Sequence, residues 1–119
     1  MSYDKKYTEV RPWGQFTIIE ETPNYVIKKI IVNPLQQLSI QFHHFRNETW
    51  TFVFGEGEVL NGDKWEVVKE YAYVYLPQGT KHSVKNTSEK WPLVFIEVQT
   101  GTVLSESDIV RISDLYHRV

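Results

Sequence analysis

Apolar and aromatic residues fall in short runs that alternate with polar ones and are cut every few positions by turn residues. Residues 49–54 show the pattern, with Trp50, Phe52 and Phe54 on one parity and therefore on one face of an extended strand. Val53, on the opposite face, is also apolar. Comparable runs at 15–20, 25–32, 37–44, 58–60, 64–68, 71–76, 82–85 and 93–99 predict further strands. Thr22-Pro23-Asn24, Asn33-Pro34 and Gly55-Glu56-Gly57 break the chain between them. Asn61-Gly62-Asp63 predicts a hairpin, because Asn-Gly tolerates positive φ. Residues 105–109 alone predict a helical turn, with Ser105 followed three places on by Asp108 as a capping signal. Short, regularly spaced strands of this kind predict an antiparallel all-β sandwich or barrel. A small barrel has a mouth in which inward polar side chains can hold a ligand.

Composition narrows the picture. The 119 residues suit one domain with a real core, and neither a repeat nor a linker divides them. Four Trp, seven Tyr and six Phe supply the bulk that a barrel interior needs. A net charge of −2 offers no basic field for nucleic acid or anionic lipid, so neither is an expected partner. The absence of cysteine excludes disulfides, thiolate metal sites and a cysteine nucleophile. The first ten residues, MSYDKKYTEV, lack the apolar core of a signal peptide, and a cytoplasmic setting is expected.

Two polar clusters carry the candidate chemistry: QFHHFRNE at 41–48 and PQGTKHSVKN at 77–86. Gln41 and His43 alternate and so leave the same face of a strand, while Glu48 follows past a bend. His82 comes from a separate strand behind a Pro-x-Gly turn. A neutral carbonyl oxygen, two imidazoles and a carboxylate together suit one divalent cation, with Zn, Mn, Fe, Co and Ni all compatible. Such a set would leave the ion net positive and Lewis acidic. Elsewhere the bland readings prevail. Arg11-Pro12-Trp13-Gly14 reads as a turn with Trp13 packed across the barrel's end, Asn86 as a turn-bonding residue, and Trp50, Trp65 and Trp91 as core or edge aromatics.

These clusters resemble the two motifs of the cupin superfamily, a double-stranded β-helix or jelly-roll barrel. The closer resemblance is to the C-terminal domain of type II mannose-6-phosphate isomerase/mannose-1-phosphate guanylyltransferase proteins. That family reads RPWG, LSLQMHHHRAEHW, YIPAG-x-x-H, IEVQ-x-G and DDIVR in order. The counterparts here are residues 11–14, 38–50, 75–82, 96–101 and 107–111, so the likeness covers nearly the whole chain as one cupin domain, 1–119. The resemblance implies metal ligation by Gln41, His43, Glu48 and His82, and a role in isomerisation for Arg111. The family's second-strand lysine falls on Lys28. Phe45 and Thr49 stand where the family has histidines, and Tyr116, His117 and Arg118 stand where it often ends Asp-Tyr-Gly-Arg.

The resemblance therefore implies a metal-dependent isomerase that interconverts mannose 6-phosphate and fructose 6-phosphate by proton transfer through an enediolate. Arg111 would bind the sugar phosphate or the developing anion, since a guanidinium matches both. Glu97 and Lys28 are candidates for moving the proton; His44 suits a supporting or surface role better. No glycine-rich phosphate loop precedes the predicted barrel, so guanylyl transfer is not expected of these residues. A homodimer is implied as the assembly. The alternatives are a non-catalytic sugar or sugar-phosphate binding cupin, to which Phe45 and Thr49 lend weight, and a metal-dependent oxygenase. Gln41 in the first ligand position counts against the oxygenase.

Overall fold

The computed structural model describes residues 7–105 and 107–113. Tyr116, His117 and Arg118 lie outside the described residues. The described chain is all β: β1 (Tyr7–Arg11), β2 (Gly14–Glu21), β3 (Tyr25–Val32), β4 (Ile40–Phe42), β5 (Arg46–Phe54), β6 (Glu56–Asn61), β7 (Lys64–Lys69), β8 (Tyr73–Leu76), β9 (His82–Asn86), β10 (Leu93–Gly101) and β11 (Val110–Ser113). One sheet has the order β1-β2-β3-β10-β5-β8 and the other β11-β4-β9-β6-β7. All pairings are antiparallel. Among the described residues no helix is long and apolar enough to cross a membrane.

The two-residue alternation seen in the sequence decides what faces inward. On β3 the buried set is Val26, Lys28, Ile30 and Val32; on β10 it is Leu93, Phe95, Glu97 and Gln99; on β5 it is Arg46, Glu48, Trp50 and Phe52. The registers align these sets, with Ile30 opposite Phe95 and Phe95 opposite Phe52, then Lys28 opposite Glu97 and Gln99 opposite Glu48. The interior is thereby split along the strands. One end is apolar, packed around Phe52 and Phe95 with ring centroids 4.9 Å apart. The other end is polar. Burying a side chain of that apolar size stabilises a fold by roughly 1.5–3 kcal/mol, so the apolar end anchors the strands that carry the polar one.

Three local expectations need correction. The run at 37–44 forms only the short β4, with Gln37 making an isolated bridge to Lys85. Leu35 at φ 61° turns the chain before it, and after it the loop at His43 is held elsewhere: the His43 carbonyl accepts the Gly79 N–H at 2.8 Å. Residues 105–109 form no helix among the described residues; Asp108 N–H closes a single turn on the Ser105 carbonyl at 3.0 Å. Its carboxylate is drawn instead onto the backbone N–H groups of His44 and Phe45, at 3.0 and 2.9 Å. Finally, β1 and β11 add edge strands that the apolar pattern does not predict. The β6–β7 hairpin turns at Gly62, φ 69°, in the left-handed region that glycine enters without a steric penalty.

Candidate metal centre

The polar end of the barrel opens into a cavity of about 150 Å³. His43, Glu48 and His82 meet there, each buried, with one potential ligand atom apiece inside a mutual distance of 4.8 Å. Three different pieces of chain deliver them. Glu48 stands on the inward face of β5, His82 begins β9, and His43 sits just past β4. Gln41 lies in register opposite both His82 and Arg111, and all three line the same cavity. The Gln41 amide Nε2 donates to Ser39 Oγ at 3.0 Å, which turns its carbonyl oxygen away from that bond.

The imidazoles are oriented by backbone carbonyls. His43 Nδ1 donates to the Asp108 carbonyl, and His82 Nδ1 to the Thr80 carbonyl at 3.1 Å. In each neutral ring the lone pair then sits on Nε2, the tautomer a metal ligand needs. Trp50 Nε1 donates to Glu48 Oε1 at 2.9 Å, so this core aromatic also holds the carboxylate. Burial alone would raise the Glu48 carboxyl, but the neighbouring His43 and His82 imidazoles and the Arg46 guanidinium hold it well below the usual carboxylate range. Burial lowers the His82 imidazole, against the pull of Glu48.

Arg46 is the residue that reading the ligand pattern alone leaves out. Its guanidinium is buried, with Nε donating to Glu48 Oε2 at 2.9 Å and Nη2 to His43 Nε2 at 3.0 Å. Its place was legible in the alternation Arg46, Glu48, Trp50, Phe52, all inward on β5. Asp108 is a second such residue, fixing the His43–Phe45 turn from far along the chain.

The remaining predicted site residues divide cleanly. Lys28 and Glu97 line the cavity from adjacent strands. Lys28 Nζ lies 4.5 Å from the centroid of the Phe16 ring, and Gln99 Nε2 donates to Glu97 Oε2 at 2.6 Å. Burial, reinforced by the Glu48 charge and opposed by Lys28, pushes the Glu97 carboxyl up to about 8. Arg111 is half-buried on β11, and its Nε has no hydrogen-bond partner among the described residues. Trp13 is buried against the cavity, as expected of a residue crossing the barrel's end. Asn86 bonds its neighbouring turn, accepting from Ser88 N–H at 2.9 Å. His44, Phe45 and Thr49 are exposed and do not line the cavity.

With this geometry in place, comparison with known proteins is decisive about kinship. The sequence pattern of the family described as mannose-6-phosphate isomerase C-terminal matches residues 2–114. The chain belongs to that family. Xanthan biosynthesis protein XanB of Xanthomonas campestris pv. campestris (strain B100) is 44% identical over 108 residues, covering 91% of this chain and 23% of that protein. A mannose-1-phosphate guanylyltransferase of Klebsiella pneumoniae is 36% identical over 115 residues, covering 96% and 24%. The chain thus spans about a quarter of the length of these curated relatives. An uncharacterized conserved protein with a double-stranded β-helix domain, from Klebsiella pneumoniae subsp. pneumoniae, superposes with a TM-score of 0.71 at 20% identity, covering 82% of this chain and 77% of that one. The fold is the cupin double-stranded β-helix.

The residues present fit a divalent ion. Two donors cis to one another around an ion with bonds of about 2.1 Å lie about 3.0 Å apart in an octahedron. His43 Nε2 and Glu48 Oε2 are 3.1 Å apart. One carboxylate with two carbonyl-oriented imidazoles is a donor set that first-row metals accept.

Proposed function

We propose that this chain is a metal-dependent mannose-6-phosphate isomerase-like domain that interconverts mannose 6-phosphate and fructose 6-phosphate. The observation that carries the reading is the sharing of one cavity by three kinds of group. These are the donor set His43, Glu48 and His82 with Gln41 beside it, the proton-holding Glu97, and the anion-matching Arg111. An ion bound by those donors would supply Lewis acidity to the sugar's carbonyl and hydroxyl oxygens. Glu97, its carboxyl raised to about 8, takes a proton from one of two adjacent carbons in its carboxylate form and returns it to the other. The hydroxyl proton passes between the two sugar oxygens, so that atoms and charge balance and the carboxylate is regenerated. Lys28, opposite Glu97, holds positive charge beside the carboxylate form and favours the exchange. Arg111 offers its guanidinium to the phosphate, with Nε uncommitted among the described residues. The reading makes a sugar phosphate the ligand and the cytoplasm the setting. A homodimer is supported by the half-buried apolar residues Ile27, Ile31, Val94 and Ile96, which occupy the outward positions of β3 and β10.

A coupled assay that follows fructose 6-phosphate from mannose 6-phosphate in Zn²⁺-, Mn²⁺- or Co²⁺-loaded protein tests this. Turnover that disappears in His82→Ala is expected; a metal-loaded, folded protein with no turnover would falsify it. The second reading is a sugar-phosphate binder without catalysis. Arg46 favours it, because its guanidinium already occupies the donor atoms that a catalytic ion needs. Binding of mannose 6-phosphate by calorimetry with no turnover would select that reading.

A further inference from the structure

Arg46 and a metal ion cannot use His43 at the same time. A neutral imidazole has a single lone pair, on Nε2 here because Nδ1 is donated to the Asp108 carbonyl. Arg46 Nη2 stands 3.0 Å from that nitrogen. The same guanidinium takes Glu48 Oε2 through Nε at 2.9 Å. It spans the two donor atoms whose 3.1 Å separation suits cis ligation of one ion. Both atoms are buried, and so is the arginine. A guanidinium and a divalent ion side by side at this depth would repel each other with little solvent screening.

We propose that Arg46 is a built-in cation that occupies the metal's place and is displaced when a divalent ion binds. The inference rests on the metal reading of His43, Glu48 and His82. In the metal-free state Arg46 neutralises the buried Glu48 carboxylate, which would otherwise stand unpaired in the barrel. On metal entry the guanidinium gives up His43 Nε2 and Glu48 Oε2 and turns within the cavity that it lines. The cost of breaking those bonds is subtracted from the metal's affinity. The chain therefore sets its own affinity through a residue that is not a ligand.

Arg46→Met removes every donor while keeping the length of the side chain. Titration with Co²⁺ alone, read by calorimetry and by the visible absorption of the bound ion, is expected to show affinity roughly 10- to 100-fold higher in Arg46→Met than in the parent, as loss of two competing charge-assisted bonds implies. Arg46→Lys, which keeps the charge but not the fork, is expected to fall between them. Equal or weaker Co²⁺ binding by Arg46→Met, with the parent binding normally, overturns the competition and leaves the metal reading standing. Failure of both proteins to bind sinks both ideas. Should Arg46→Met not fold, the parent protein supplies the test. The Arg46 Nε–Hε resonance is expected to shift as Zn²⁺ saturates the site, and a resonance unmoved at calorimetric saturation overturns the proposal.

Discussion

Glu97 faces Lys28 across the β3–β10 ladder, and both side chains are buried at the polar end of the barrel. The pairing does not keep Glu97 ionised. Burial and the Glu48 charge outweigh Lys28 and raise its carboxyl to about 8. A carboxyl raised on folding binds its proton more tightly in the native state. Its stabilising contribution is complete below the ordinary value of 4.5 and is lost as pH rises to about 8.

The stability of chelator-treated protein is accordingly expected to fall between pH 6.5 and pH 8, and Glu97→Gln to flatten that slope. The window avoids His82. Its lowered value adds stability only as pH rises towards 6.5, and Glu48 is ionised in both states throughout. Urea midpoints at the two ends of the window decide the matter. An identical slope in the parent and in Glu97→Gln would show that another group carries it.

Asp108 acts on the site without entering it. Its carboxylate accepts the N–H groups of His44 and Phe45, while its carbonyl accepts His43 Nδ1. Asp108→Ala removes the two carboxylate bonds and frees the turn that aims His43. A loss of about 1.5–3 kcal/mol in urea unfolding is expected from bonds to a charged acceptor. Metal affinity is expected to drop roughly 10- to 100-fold, as when a supporting group is removed from a metal ligand. Stability loss with unchanged Co²⁺ affinity would assign Asp108 to the fold alone.

How far this was legible in the sequence depends on the distance over which each signal acts. The strands are readable because alternation is a local property. Trp50 and Phe52 announce a face, and Asn61-Gly62 announces a hairpin, without reference to anything else in the chain. The edges β1 and β11 escape because Tyr7–Arg11 and Val110–Ser113 are defined by their pairing partners rather than by apolar content. Ser105 and Asp108 carry the local signature of a cap, but the partners of the Asp108 carboxylate lie 63 and 64 residues away, and no local rule reaches that far. Arg46 differs, since its inward parity was visible beside Glu48. An arginine is ordinarily solvated, and that expectation hides it. Phe45 and Thr49 reverse the lesson: they depart from the family pattern inside the motif, yet both point to solvent and leave the cavity lining untouched.

Arg111 tests the anion side of the proposed function. It faces Gln41 in the β11–β4 register and reaches the cavity with a buried Nε that lacks a hydrogen bond among the described residues. Arg111→Ala is expected to weaken mannose 6-phosphate binding by at least about tenfold, as loss of a charge-assisted pair implies, and to leave mannose binding unchanged. Arg111→Lys restores the charge but not the fork, and partial recovery is expected. Calorimetry with the two sugars checks this. Equal losses for phosphorylated and free sugar would mean that Arg111 shapes the cavity rather than reading the phosphate.

Trp50 separates the packing role of the core from its role in the site. Its ring packs on Phe95 with centroids 4.7 Å apart and meets His82 edge-on at 5.5 Å, while Nε1 donates to Glu48 Oε1. Trp50→Phe keeps an apolar ring in the core but leaves a buried carboxylate oxygen short of one donor. The expected destabilisation is about 2–4 kcal/mol, combining the unsatisfied acceptor with a modest volume loss. The two contributions separate in a double-mutant cycle with Glu48→Gln. That change removes the charged acceptor that Trp50 serves, so the hydrogen-bond part of the penalty shrinks while the packing part persists. Urea unfolding of the parent, the two single variants and the double variant measures that difference. A Trp50→Phe penalty of the same size in both backgrounds would place the whole effect in packing and remove Trp50 from the support of Glu48.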